Sequence, residues 1–187
     1  VHHDIKKQVK FELPGQTDKL SVLLSGGNMG VGAIEDVITA IGDNRKLQLH
    51  VLCGKNKRLY QRLKKSQHIT AYPFISSRKE MDQLYQRVDA ILTKPGGVTI
   101  SECLFKQKPI FIYHALPGQE KINVDMLNEL GVIVDLQDQS KHILVEQLLS
   151  ILEDKKQLRQ MEQQLANYHK QLVEIEPHQL IEQIVAD

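Results

Sequence analysis

Thr93-Lys94-Pro95-Gly96-Gly97-Val98-Thr99-Ile100-Ser101-Glu102 joins two patterns whose meeting decides the fold. Upstream, Ala90–Leu92 is a short apolar run of the kind that forms a strand covered on both faces. Downstream, Ile100, Cys103, Leu104 and Phe105 have helical spacing. Between them Pro95, Gly96 and Gly97 break the chain with almost no side-chain bulk. A strand, a bare turn and a helix start direct unpaired backbone N–H groups and a positive dipole end at one spot. Such a spot receives an anion, and the phosphate of a nucleotide is the expected one.

The same alternation continues in both directions. Strands are expected at Leu20–Leu24, Leu47–Cys53, Ile69–Tyr72, Ala90–Thr93, Pro109–Tyr113 and Val132–Val134. Helices are expected at roughly Val31–Ile41, Lys57–Lys65, Arg78–Arg87, Thr99–Lys106, Lys121–Leu130 and Lys141–Leu152. Strands that alternate with helices of about ten residues imply right-handed crossovers and a parallel sheet. The fold class is therefore α/β, a Rossmann-like doubly wound sheet of about six strands, with a helical C-terminal tail. Residues 1–18 read as a linker segment, 19–152 as the core and 153–187 as C-terminal helices, all in one domain. In the tail, Leu158, Met161, Leu165 and Leu172 give one apolar stripe, Pro177 ends it, and His178–Ala186 has room for a last helix. A helix capping the sheet is expected there, ahead of a coiled-coil arm.

Composition narrows the partners. With 187 residues, 41% hydrophobic, 25% charged and a net charge of +1, the chain has the make-up of an ordinary globular domain and no basic excess for nucleic acid. No apolar run approaches the ~18 residues of a membrane-spanning helix. The polar start carries no signal-peptide pattern and no initiator Met, so a piece of a longer protein is expected. Cys53 and Cys103 both sit inside apolar runs and read as small buried hydrophobes, not as catalytic thiols or a disulfide.

Four segments fall at the carboxyl ends of the expected strands, where ligands bind in such sheets. After the first strand, Ser25-Gly26-Gly27-Asn28-Met29-Gly30 is glycine-rich but has neither dinucleotide nor Walker spacing. After the second and third come Cys53-Gly54-Lys55-Asn56 and Tyr72-Pro73-Phe74-Ile75, which offer a ring and backbone groups for a base. After the fourth, Glu102 lies about one turn into the helix and suits a ribose diol. After the fifth, Pro117-Gly118-Gln119-Glu120-Lys121-Ile122-Asn123 offers amides and a carboxylate of the kind that meet sugar hydroxyls.

Taken together these segments resemble the C-terminal, donor-binding domain of GT-B glycosyltransferases of family 28. That family holds monogalactosyldiacylglycerol synthases, processive diacylglycerol glucosyltransferases and the lipid II-forming N-acetylglucosaminyltransferase. Ser25–Gly30, Val51–Asn56, Thr93–Glu102 and Pro117–Asn123 carry the resemblance, and the Pro-Gly-Gln-Glu element is closest to the glycerolipid branch. It implies an inverting hexosyltransferase with UDP-glucose or UDP-galactose as donor and a lipid acceptor, 1,2-diacylglycerol. It also implies a peripheral place on the cytoplasmic face of the membrane for the full-length protein. By analogy Phe74 and Ile75 flank the uracil. Pro95, Gly96, Gly97, Val98 and Thr99 surround the diphosphate, and Glu102 holds the ribose. Pro117, Gly118, Gln119 and Glu120 meet the transferred sugar, with Asn123 beside them. Gly26, Gly27, Asn28 and Gly30 face the cleft. No metal or other cofactor is expected, since helix dipoles neutralise the leaving diphosphate. Family members are roughly twice this length, and their N-terminal domain binds the acceptor and supplies the base. That domain is expected to be absent here, which leaves the catalytic residue unassigned; His114, at a strand end, is the one histidine near the sugar loop. Other readings stay open: a lipid II-type transferase using UDP-N-acetylglucosamine, an epimerase-like relative, a non-catalytic subunit of a split transferase, and a Rossmann-like domain for another nucleotide.

Overall fold

Short runs of Val, Leu and Ile align side by side into one parallel sheet, with the polar-faced segments between them as crossover helices. The computed structural model of the chain describes residues 19–26, 34–42, 44–137 and 139–171. The strands are β1 (Leu20–Ser25), β2 (Leu47–Leu52), β3 (Ile69–Tyr72), β4 (Ala90–Thr93), β5 (Ile110–Ile112) and β6 (Val134–Asp135). The helices are α1 (Ile34–Ile41), α2 (Lys57–Leu63), α3 (Arg78–Arg87), α4 (Gly97–Lys106), α5 (Gln119–Glu129), α6 (Lys141–Glu153) and α7 (Lys155–Gln171). The strand order is β3-β2-β1-β4-β5-β6, with every neighbouring pair parallel. Right-handed crossovers then place α1 and α2 on one face and α3, α4 and α5 on the other.

Burial follows from that layering. β4 and β5 are buried along their whole length, as is the central stretch Val22–Leu24 of β1. β2 alternates between buried and half-buried, because it lies nearer the sheet edge. Phe111 is the largest wholly buried side chain, and cutting such a residue to Ala costs about 3–5 kcal/mol. α1 turns Ile34, Val37, Ile38 and Ile41 inward, the spacing of an amphipathic helix. Side-chain caps fix other helix starts: Asn56 accepts from the Leu59 N–H, Ser77 from Glu80 and Ser140 from Ile143.

The expected boundaries shift at identifiable places. α4 and α5 begin at Gly97 and Gln119, not Thr99 and Lys121, because glycines at 96 and 118 serve as helix caps and not as loop. β6 is Val134–Asp135, paired to Phe111 and Ile112 of β5, while Val132 and Ile133 are buried in the connection from α5. Glu153 belongs to α6, and Asp154 separates it from α7 by accepting bonds from the Lys156 and Gln157 N–H groups. The α7 helix caps the body instead of standing off as an arm. Leu158, Met161 and Leu165 are buried, and its His169 Nε2 lies 2.7 Å from the Leu104 carbonyl oxygen of α4. Residues 1–18, Val31 to Ala33 at the expected start of α1, Leu172, and the break at Pro177 with the helix after it lie outside the described residues.

Candidate functional site

Between β1 and β4 the sheet reverses its order. Connections leave these two strands in opposite directions, and the carboxyl ends open onto a crevice. A cavity of about 540 Å³ occupies it, a size suited to a cofactor-sized molecule. Ser25 and Leu52 form its floor at the ends of β1 and β2. Gly54 and Pro73–Ile75 form one wall. Gly96–Thr99 and Glu102 form the other, with Met81 and Tyr85 of α3 behind.

The α4 wall starts with bare backbone at Gly96 and Gly97. Gly96 is the helix cap, extended at φ −69° and ψ 132°, with no side-chain bond to the first turn. The first bond of the helix runs from the Ile100 N–H to the Gly96 carbonyl at 2.9 Å. The N–H groups of Gly97, Val98 and Thr99 precede it and have no partner within the helix. Neither Gly96 nor Gly97 has a positive φ, and a Cβ on either would meet nothing within 4 Å. Neither conformation nor packing therefore calls for glycine here. What the pair provides is open access to the backbone donors at a positive helix end. The Ser101 hydroxyl is turned away from this task; it donates to the Gly97 carbonyl at 2.8 Å.

Glu102 is exposed, and its Oε2 accepts a 3.0 Å hydrogen bond from the Tyr85 hydroxyl. Tyr85 is only 3% exposed. Burial, with Cys103 and Glu102 beside it, holds the phenol far above its usual range, so it stays protonated and donates. The Cys103 thiol is likewise pushed up by burial, and that of Cys53 up to about 11. Both cysteines are buried and free, as their apolar settings implied. Across the cavity, Phe74 is 54% exposed, with Lys55 Nζ 5.9 Å from its ring centroid. Ile75 beside it is half-buried.

The β5–α5 loop behaves differently. None of Pro117, Gly118, Gln119, Glu120 and Asn123 lines the cavity, because β5 lies one strand beyond the switch point. Gly118 has φ 98°, a conformation that L side chains rarely adopt. Glu120 Oε2 accepts from the Leu116 N–H at 2.8 Å, which closes the loop on itself. The Asn123 side-chain amide donates to the Pro95 carbonyl at 2.8 Å, so this residue braces the α4 turn. Pro95 is buried and outside the cavity lining, and His114 is half-buried and also outside it. Gly26 is buried at the end of β1, next to Ser25. Gly27, Asn28 and Gly30 lie outside the described residues. The sequence reading missed Met81 and Tyr85. They share the apolar face of α3 with Leu84, and the available signal was a buried phenol, which needs an acceptor nearby. Among the described residues no three His, Cys, Asp or Glu side chains gather as a metal site, and no helix is long and apolar enough to cross a membrane.

Comparison with known proteins gives consistent matches. The model of the "Glycosyltransferase family 28 C-terminal domain" matches residues 21–183. An uncharacterized glycosyltransferase, YkoN of Bacillus subtilis, is 37% identical over 150 residues, which span 79% of this chain and 40% of that protein. A processive diacylglycerol beta-glucosyltransferase of Bacillus cytotoxicus is 28% identical over 163 residues, 86% of this chain and 41% of the relative. The chain thus spans about two fifths of the length of these curated relatives. Among solved structures, MurG of Acinetobacter baumannii superposes with a TM-score of 0.60 at 21% identity, covering 79% of this chain and 45% of that one.

Proposed function

The chain belongs to glycosyltransferase family 28, as its C-terminal domain, and from that premise we propose that it is the donor half of a transferase that moves a hexose from UDP-glucose or UDP-galactose to 1,2-diacylglycerol. One observation carries the reading. The bare first turn of α4, Glu102 one turn further on, and the Phe74–Ile75 pair converge on a single cavity at the switch point. Uracil packs against Phe74 and Ile75. The N–H groups of Gly97–Thr99 take the diphosphate, and Glu102 accepts from the ribose diol. The sugar extends past the cavity toward Gln119 and Glu120. The resemblance in Pro117–Asn123 and the name of the B. cytotoxicus relative both support the lipid acceptor.

In the reaction, a hydroxyl oxygen of the acceptor bonds to the anomeric carbon from the side opposite UDP. The bond from that carbon to the β-phosphate oxygen breaks, and UDP leaves with the electron pair. The acceptor's proton passes to a base in the other half of the full-length protein. Negative charge grows on the diphosphate at the positive end of α4, where preorganised N–H donors stabilise it without a metal ion. The full-length enzyme works at the cytoplasmic face of the membrane, where its acceptor lies.

Calorimetry on this chain tests the reading. UDP should bind about tenfold or more tightly than ADP or GDP, and Glu102→Ala should remove most of that affinity. Equal binding of ADP and UDP would refute the uracil assignment. UDP-glucose and UDP-galactose then rank the donors.

A further inference from the structure

We propose that Tyr85 is a positioning residue of the nucleotide site, which holds the Glu102 carboxylate in the orientation that receives a ribose diol. This rests on the nucleotide reading of the cavity. Tyr85 comes from α3, a helix outside the glycine-rich segments of the sequence, and α3 links the two halves of the sheet across its switch point. The tyrosine is buried at the back of the cavity, and its hydroxyl reaches Glu102 Oε2 at 3.0 Å.

Glu102 itself is exposed and carries three rotatable side-chain bonds. Alone it would sample many rotamers, and a ligand would have to fix one of them. A buried, rigid phenol removes that freedom beforehand. The bond engages one carboxylate oxygen and leaves the other oxygen for the two hydroxyls of a ribose. Burial also pushes the phenol well above its usual range, which favours the protonated form that donates to the carboxylate.

The test compares UDP with 2′,3′-dideoxy-UDP on the wild-type chain, Tyr85→Phe, Glu102→Gln and the double variant, by calorimetry. Tyr85→Phe keeps the ring and its packing. It should weaken UDP about tenfold and leave the dideoxy nucleotide unchanged, collapsing the preference between them. The double variant should bind UDP no worse than Glu102→Gln alone, since both changes remove one arrangement. A Tyr85→Phe chain that keeps the wild-type preference, or losses that add in the double variant, overturns the proposal. A wild-type chain that fails to bind UDP sinks the nucleotide reading instead. A crystal structure of Tyr85→Phe then decides the positioning claim by itself: a displaced Glu102 carboxylate supports it, and an unmoved one overturns it.

Discussion

Pro95-Gly96-Gly97 and Pro117-Gly118-Gln119 are near-copies in sequence, each a proline and a glycine leading from a buried strand into the first turn of a helix. In the fold they differ in backbone conformation and in what they face. The first pair of glycines has ordinary backbone angles and open space where side chains would be, and its donors line a cavity. The glycine of the second also has open space around it but holds φ 98°, and Glu120 and Asn123 beside it bond to the Leu116 N–H and the Pro95 carbonyl. One loop presents backbone to the cavity; the helix that follows the other braces the first through the 2.8 Å bond from Asn123 to the Pro95 carbonyl. A shared motif thus marks a shared position at the sheet edge and leaves the job of each loop undetermined.

Substitution can break this contrast. The largest effect is expected for Gly97→Val. A Cβ at this position meets nothing within 4 Å, so the melting temperature should hold, while UDP affinity falls about a hundredfold as the side chain fills the approach to the α4 donors. Calorimetry and thermal denaturation on one sample check both halves; a fall in stability without a loss of binding would reverse the assignment. Gly118→Ala should behave the opposite way. The alanine must hold φ 98° or remodel the loop, at a cost of about 1–3 kcal/mol in chemical denaturation, with a smaller effect on UDP. Asn123→Ala should lie between the two. Losing the brace on Pro95 costs about 1 kcal/mol of stability and loosens the α4 turn, visible as faster hydrogen exchange at Gly96–Thr99. Lys121→Ala removes an exposed pair with Asp125 one turn along α5. A change below about 0.5 kcal/mol is expected, and a larger one would mean that this loop has a role the brace does not explain.

The sheet was readable from the chain because a strand buried on both faces must be apolar nearly throughout. Leu20–Leu24, Ala90–Thr93 and Pro109–Tyr113 therefore stand out from their polar surroundings. The Gly96–Thr99 wall was readable for a related reason, since glycines between a strand and a helix mark exposed backbone. Tyr85 was hidden, because a phenol on the inner face of α3 has the spacing of an ordinary core residue. The brace from Asn123 was also hidden, because nothing local shows that its amide reaches a carbonyl 28 residues away.

By itself, then, the sequence determined the order of strands and helices among the described residues, the parallel sheet, and the Gly96–Gly97 and Gly118 turns at its carboxyl edge. Local hydrophobic period and backbone freedom control those features, and both are written residue by residue. Only the tertiary structure decided which of two similar turns opens onto the cavity, which polar side chains brace the fold, and that a tyrosine from a third helix holds Glu102. Those outcomes depend on distances between segments far apart in the chain, which packing sets and local pattern does not encode.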